Sequence, residues 1–142
     1  MSCDHPTGHS ALLREVGSSQ SVLVVDDEEG IRQAVSLVLE SAGYAVVCAV
    51  DGQEAFSILE RRRFDLVITD MLMPGRDGLE LLSVVKKIGQ RTKVLVMSGG
   101  GIIGVGAYLN VAKKLGAHAV LGKPFTSEVL LETAAGLLKK EA

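Results

Sequence analysis

Leu66-Val67-Ile68-Thr69-Asp70, running into Met71-Leu72-Met73-Pro74-Gly75, decides how this chain folds: an apolar run ends in a carboxylate and breaks at once into a Pro-Gly loop. A short run of this kind, closed by turn residues, reads as a strand buried on both faces. The pattern recurs three times. Val22-Leu23-Val24-Val25 leads into Asp26-Asp27, Val94-Leu95-Val96-Met97 delivers Ser98, and Ala119-Val120-Leu121 leads into Gly122-Lys123-Pro124.

Helical spacing fills the intervals. Ile31, Ala34, Val35, Val38, Leu39 and Ala42 form one apolar stripe with Arg32, Gln33 and Glu40 off it, and Gly43 stops the helix. The run 44–49 reads as a further strand, and Asp51-Gly52 opens a short helix carrying Ala55, Phe56, Ile58 and Leu59. Residues 79–88 form the next helix, capped by Asp77. Tyr108, Leu109, Ala112 and Leu115 mark a fourth helix, closed by Gly116, and Thr126 or Ser127 caps a fifth, with Glu128 in its first turn. Five strands alternating with five helices predict a single doubly wound α/β domain, its parallel sheet covered on both faces.

In such a sheet the ligand site lies beyond the carboxyl ends of the strands. Asp26, Asp27, Asp70, Ser98 and Lys123 are then expected in one crevice. Three carboxylates do not stay ionised together without a cation, and an aspartate attacks phosphorus only where the charge on the phosphoryl oxygens is neutralised. Mg²⁺ meets both needs with oxygen ligands and retained waters. The pattern points to magnesium-dependent phosphoryl chemistry.

Composition narrows the alternatives. The length, 142 residues, suits one domain and leaves no room for a separate output domain, and a net charge of −2 gives no bulk attraction to nucleic acid or anionic lipid. Arg61-Arg62-Arg63 reads as the solvated end of a helix rather than a nucleic-acid patch. Residues 1–20, rich in Ser, Gly and His, read as a flexible extension, with the domain spanning 21–142. Cys3, His5 and His9 in that extension lack the fourth partner of a closed metal site. Two unpatterned cysteines suit a reducing compartment, with Cys48 read as a buried small hydrophobe. The absence of a membrane-length apolar stretch makes the cytoplasm the expected location. Glu28 and Glu29 read as first-turn helix residues, and His118 as a surface or strand-edge residue.

With these motifs in order, the region from about residue 21 resembles the receiver domain of the two-component response regulator family, in its single-domain, chemotaxis-regulator-like form. The resemblance rests on Asp26-Asp27, on the segment from Asp70 to Gly78, on Ser98 and on Lys123-Pro124-Phe125. It implies a flavodoxin-like (βα)5 fold with strand order 2-1-3-4-5. It implies Asp70 as phosphoacceptor, Asp27 as a direct Mg²⁺ ligand, Asp26 as a ligand largely through water and the Leu72 carbonyl as a further ligand. Lys123 would pair with Asp70 or its phosphoryl group, Ser98 would donate to a phosphoryl oxygen, and the Lys123–Pro124 bond would be cis. The implied donor is a phosphohistidine of a sensor histidine kinase or histidine phosphotransfer protein. The implied target is a protein bound through the fourth helix, fifth strand and fifth helix.

Three positions depart from the family pattern. Val120 stands where many receivers carry an aromatic switch residue, so the loop after Ser98, the fourth helix or Tyr108 would have to carry the signal. The segment from Ser98 to Lys123 is glycine-rich and longer than usual, and is expected to order on activation. Leu72 cannot hydrogen-bond an attacking water, which implies slow self-hydrolysis. Two other functional classes fit less of the pattern: a magnesium-dependent small phosphohydrolase, which lacks a visible general acid, and an inert receiver-like interaction module.

Overall fold

Residues at alternate positions of a strand face opposite sides of a sheet, and the apolar runs supply both sides at once. In the computed structural model of the protein, which describes residues 19–70, 78–88, 91–99, 114 and 116–139, these runs form β1 (Ser21–Val25), β2 (Ala45–Ala49), β3 (Leu66–Asp70), β4 (Lys93–Ser98) and β5 (Ala119–Gly122). All four pairings are parallel and the order is β2-β1-β3-β4-β5, as the resemblance implied. Helices α1 (Glu29–Ser41), α2 (Gly52–Leu59) and α3 (Gly78–Ile88) and a final helix (Ser127–Leu138) alternate with the strands. Of the fourth helix expected from the sequence, only Lys114 is described, and it is helical. Asp77, Leu72, Tyr108 and most of the glycine-rich loop lie outside the described residues.

The alternation divides the core in two. Leu23, Val25, Val67, Val94 and Val96 pack with Ala55, Phe56 and Leu59 of α2 and Leu81 and Val85 of α3. On the other face Val22, Val24, Ile68, Leu95, Met97 and Leu121 pack with Val35 and Leu39 of α1 and Leu130, Ala134 and Leu138 of the final helix. Val120 lies half-buried against the first of these clusters. Cys48 is buried in the second, as expected, and its Sγ lies 3.0 Å from the Ser36 hydroxyl.

Local signals set the helix ends. Tyr44 N–H donates to the Leu39 carbonyl and Gly43 N–H to that of Glu40, a Schellman closure whose turn residue, Gly43, sits at φ +98° where a side chain would be strained. Asp51 caps α2 by accepting from Glu54 N–H at 2.9 Å, and Thr126, not Ser127, caps the final helix by accepting from Val129 N–H at 3.1 Å. The arginine triplet follows the end of α2: Arg61 Nε donates to the Ser57 carbonyl, and Arg62 lies over the Phe64 ring.

His118 precedes β5 and extends its ladder. Its N–H donates to the Val94 carbonyl at 2.8 Å, while its Nδ1 accepts from Val94 N–H at 3.1 Å. Only an unprotonated Nδ1 accepts, and partial burial, then the charge of Lys93, lowers its pKa. A lowered histidine pKa contributes its full stability above the ordinary value and loses it as pH falls below that value. The melting temperature is therefore expected to drop between about pH 7 and pH 5, and to drop less in His118→Gln. Equal slopes in the two proteins would remove this hydrogen bond from the account.

Candidate functional site

Parallel registration brings the strand ends to one edge. Val25 pairs with Thr69, Asp70 with Met97 and Ser98 with Gly122, so Asp26, Asp70, Ser98 and Lys123 emerge side by side. Lys123 N–H donates to the Ser98 carbonyl at 2.7 Å, which ties the end of β5 to the end of β4. The Lys123–Pro124 bond is cis.

Asp26 is fully buried and every one of its polar atoms is engaged. Its N–H donates to the Ala49 carbonyl, Oδ1 accepts from Glu28 N–H at 2.9 Å, and Oδ2 accepts from Lys123 Nζ at 2.9 Å. The main-chain carbonyl accepts from Arg32 Nη1 at 2.8 Å. Buried polar groups demand such pairing, and a buried charge demands it most. Asp27, the next residue, is exposed. Asp70 keeps 13% of its side chain accessible, and its Oδ2 lies 3.2 Å from Lys123 Nζ. Thr69, buried beside it, donates its hydroxyl to the Asp70 carbonyl at 3.0 Å.

One ammonium thus serves two carboxylates, with a third at its margin: Glu28 Oε1 lies 3.9 Å from Nζ. Burial by itself would lower the Lys123 pKa. The hydrogen bond to Asp26 and the charges of Asp70 and Asp26 outweigh it, and the pKa is raised. Lys123 lies closer to Asp26 than to Asp70, whereas the sequence reading paired it with Asp70 alone.

Carboxylate oxygens of Asp26, Asp27 and Asp70 lie within 4.8 Å of one another. Three carboxylates against one ammonium leave a double negative charge, which a divalent cation matches, and an all-oxygen donor set is the chemistry of Mg²⁺ rather than of softer metals. The residues present therefore fit the metal. Both Asp26 oxygens accept hydrogen bonds within the buried site, whereas Asp27 is exposed.

The structure brings together Asp26, Asp27, Asp70 and Lys123, and it places Ser98, 1% exposed, at the same edge. The carbonyl of Leu72 lies outside the described residues. Glu29 sits in the first turn of α1, as expected. Two residues at the site were not assigned to it from sequence. Glu28 is the N-cap of α1 and reaches toward Lys123, and Arg32 appeared only as a polar residue off the apolar stripe. Nothing in helical spacing distinguishes such an arginine from a solvated one.

Comparison with known proteins points to one family. The sequence model of the family described as response regulator receiver domain matches residues 22–135. The chain is 36% identical over 107 residues to sporulation initiation phosphotransferase F of Bacillus subtilis, covering 75% of this chain and 84% of that protein. It is 31% identical over 121 residues to the transcriptional regulatory protein GlrR of Escherichia coli, covering 85% of this chain but 27% of the longer protein. Among solved structures, the chemotaxis response regulator CheY4 of Vibrio cholerae superposes with a TM-score of 0.78 at 36% identity, covering 84% of this chain and 99% of that one.

Proposed function

The chain belongs to the response regulator receiver domain family, and on that premise we propose that it acts as a stand-alone receiver that takes a phosphoryl group onto Asp70 from a phosphohistidine. The donor is a sensor histidine kinase or a histidine phosphotransfer protein. The output is a partner protein or onward transfer along a relay, the latter in keeping with the similarity to sporulation initiation phosphotransferase F of Bacillus subtilis. The observation that carries the reading is the clustering of the Asp26, Asp27 and Asp70 carboxylates, with the Lys123 ammonium 2.9 Å from Asp26 and 3.2 Å from Asp70.

In the proposed reaction an Asp70 carboxylate oxygen attacks phosphorus, the P–N bond to the donor imidazole breaks, and the imidazole nitrogen keeps the electron pair and takes a proton from solvent. Asp27, Asp70 and the Leu72 carbonyl would hold Mg²⁺, with Asp26 acting through water, and the ion would supply charge neutralisation for the transferring group. Lys123, held between Asp26 and Asp70, pairs with a phosphoryl oxygen without leaving its place in the fold. Ser98 donates its hydroxyl to another. Receivers are signalling domains, and the chemistry here is a single transfer onto the protein itself rather than turnover of a substrate.

The same reading sets residues 1–20 outside the domain, which is supported by the start of β1 at Ser21 and of the family match at residue 22. The partner surface we propose is the fourth helix with β5 and the final helix. None of the described helices is long and apolar enough to cross a membrane, and we place the protein in the cytoplasm.

Intact mass after incubation with a small phosphoramidate donor tests the proposal. One added phosphoryl group in the presence of Mg²⁺, and none in a chelator, is the expected result. Turnover of generic phosphoesters with no stable adduct would point instead to a phosphohydrolase, and no uptake by folded protein would point to an inert interaction module.

A further inference from the structure

We infer that Arg32 is a positioning residue for the candidate metal site: its guanidinium holds the Asp26 carbonyl and so fixes the peptide that presents Asp27. The inference rests on the receiver reading and goes beyond it. The carbonyl of Asp26 belongs to the peptide plane that also contains the N–H and Cα of Asp27, so immobilising that oxygen immobilises the base of the Asp27 side chain. Arg32 Nη1 donates to it at 2.8 Å, a charge-assisted bond in a partly buried setting.

The neighbouring bonds complete the bracket. Asp26 N–H is fixed to the Ala49 carbonyl of β2, and the N–H that follows Asp27, that of Glu28, is held by Asp26 Oδ1 at 2.9 Å. The Asp27 backbone is thereby held on both sides while its carboxylate stays exposed, which is the combination a direct metal ligand needs. Arg32 is the one member of this bracket supplied by a side chain from the body of a helix, and it transmits the position of α1 to the site.

The location of the arginine carries the same message. Arg32 is the fourth residue of α1, near the positive end of the helix dipole, where a cation is disfavoured. The hydrogen bond to the Asp26 carbonyl supplies the opposing attraction. A solvated arginine at that position would gain nothing.

Mg²⁺ titration followed by the Asp27 amide resonance, paired with the Mg²⁺-induced rise in melting temperature, tests the assignment. Removing an outer partner of a metal ligand typically weakens binding by 10- to 100-fold, so Arg32→Ala is expected to raise the Mg²⁺ dissociation constant about tenfold. Arg32→Lys, which restores a cationic donor, is expected to recover most of that loss. Val35→Ala, a core truncation on the same helix, is expected to lower stability and leave Mg²⁺ affinity unchanged. Wild-type affinity in Arg32→Ala, no recovery in Arg32→Lys, or an equal loss in Val35→Ala would each overturn the assignment. Absence of any Mg²⁺ response in the wild-type protein would overturn the receiver reading along with it, a result distinct from the other three.

Discussion

Lys123→Met is expected to destabilise the fold by about 3 kcal/mol in Mg²⁺-free buffer. The loss comes less from the missing attraction than from what remains: the fully buried Asp26 carboxyl loses the ammonium at 2.9 Å. The lower end of the usual range applies because Asp26 Oδ1 still accepts from Glu28 N–H and because the Lys123 side chain is itself 15% exposed. The pKa of Lys123 is raised, so its contribution is fully present below the ordinary lysine range and disappears only as pH rises through the elevated value. At neutral pH the whole effect is therefore visible. Urea denaturation measures it, and the double variant Lys123→Met with Asp26→Asn should recover most of it. A single variant as stable as wild type would show that the ammonium does not compensate Asp26.

Asp70→Asn is expected to abolish phosphoryl uptake from small donors, to the background of the assay. The amide is close in shape to the carboxylate but is a poor nucleophile toward phosphorus, so the change removes the reaction while keeping the side chain's volume. It also relieves repulsion among Asp26, Asp27 and Asp70, and the variant should melt no lower than wild type. A folded Asp70→Asn protein that still gained a Mg²⁺-dependent phosphoryl group would move the acceptor elsewhere.

The parallel sheet and the edge at which its side chains gather were legible because both follow from local pattern. Apolar runs such as Val22 to Val25 can only be buried strands in a chain that alternates with helical stripes, and parallel strands put their carboxyl ends together. The strand order came from resemblance rather than from pattern. What escaped sequence reading depends on distances between elements. That Lys123 lies nearer Asp26 than Asp70 is set by packing across β1, β3 and β5. Arg32 reaches the Asp26 carbonyl because α1 follows β1 through a tight turn, and six residues of separation in sequence give no hint of a 2.8 Å contact. Thr126 and Ser127 have nearly the same cap chemistry, and the extended backbone at Thr126 decides between them.

The central claim is that the acidic edge is a working phosphoacceptor site built on Asp70. Amide NMR of the wild-type protein with Mg²⁺ and beryllofluoride, a mimic of the phosphoryl group, tests it most directly. The account predicts that Mg²⁺ shifts the resonances of Asp26, Asp27 and Asp70, and that beryllofluoride then moves Ser98 and Lys123, with the second change lost in Asp70→Asn. A well-folded spectrum that neither reagent alters would contradict it.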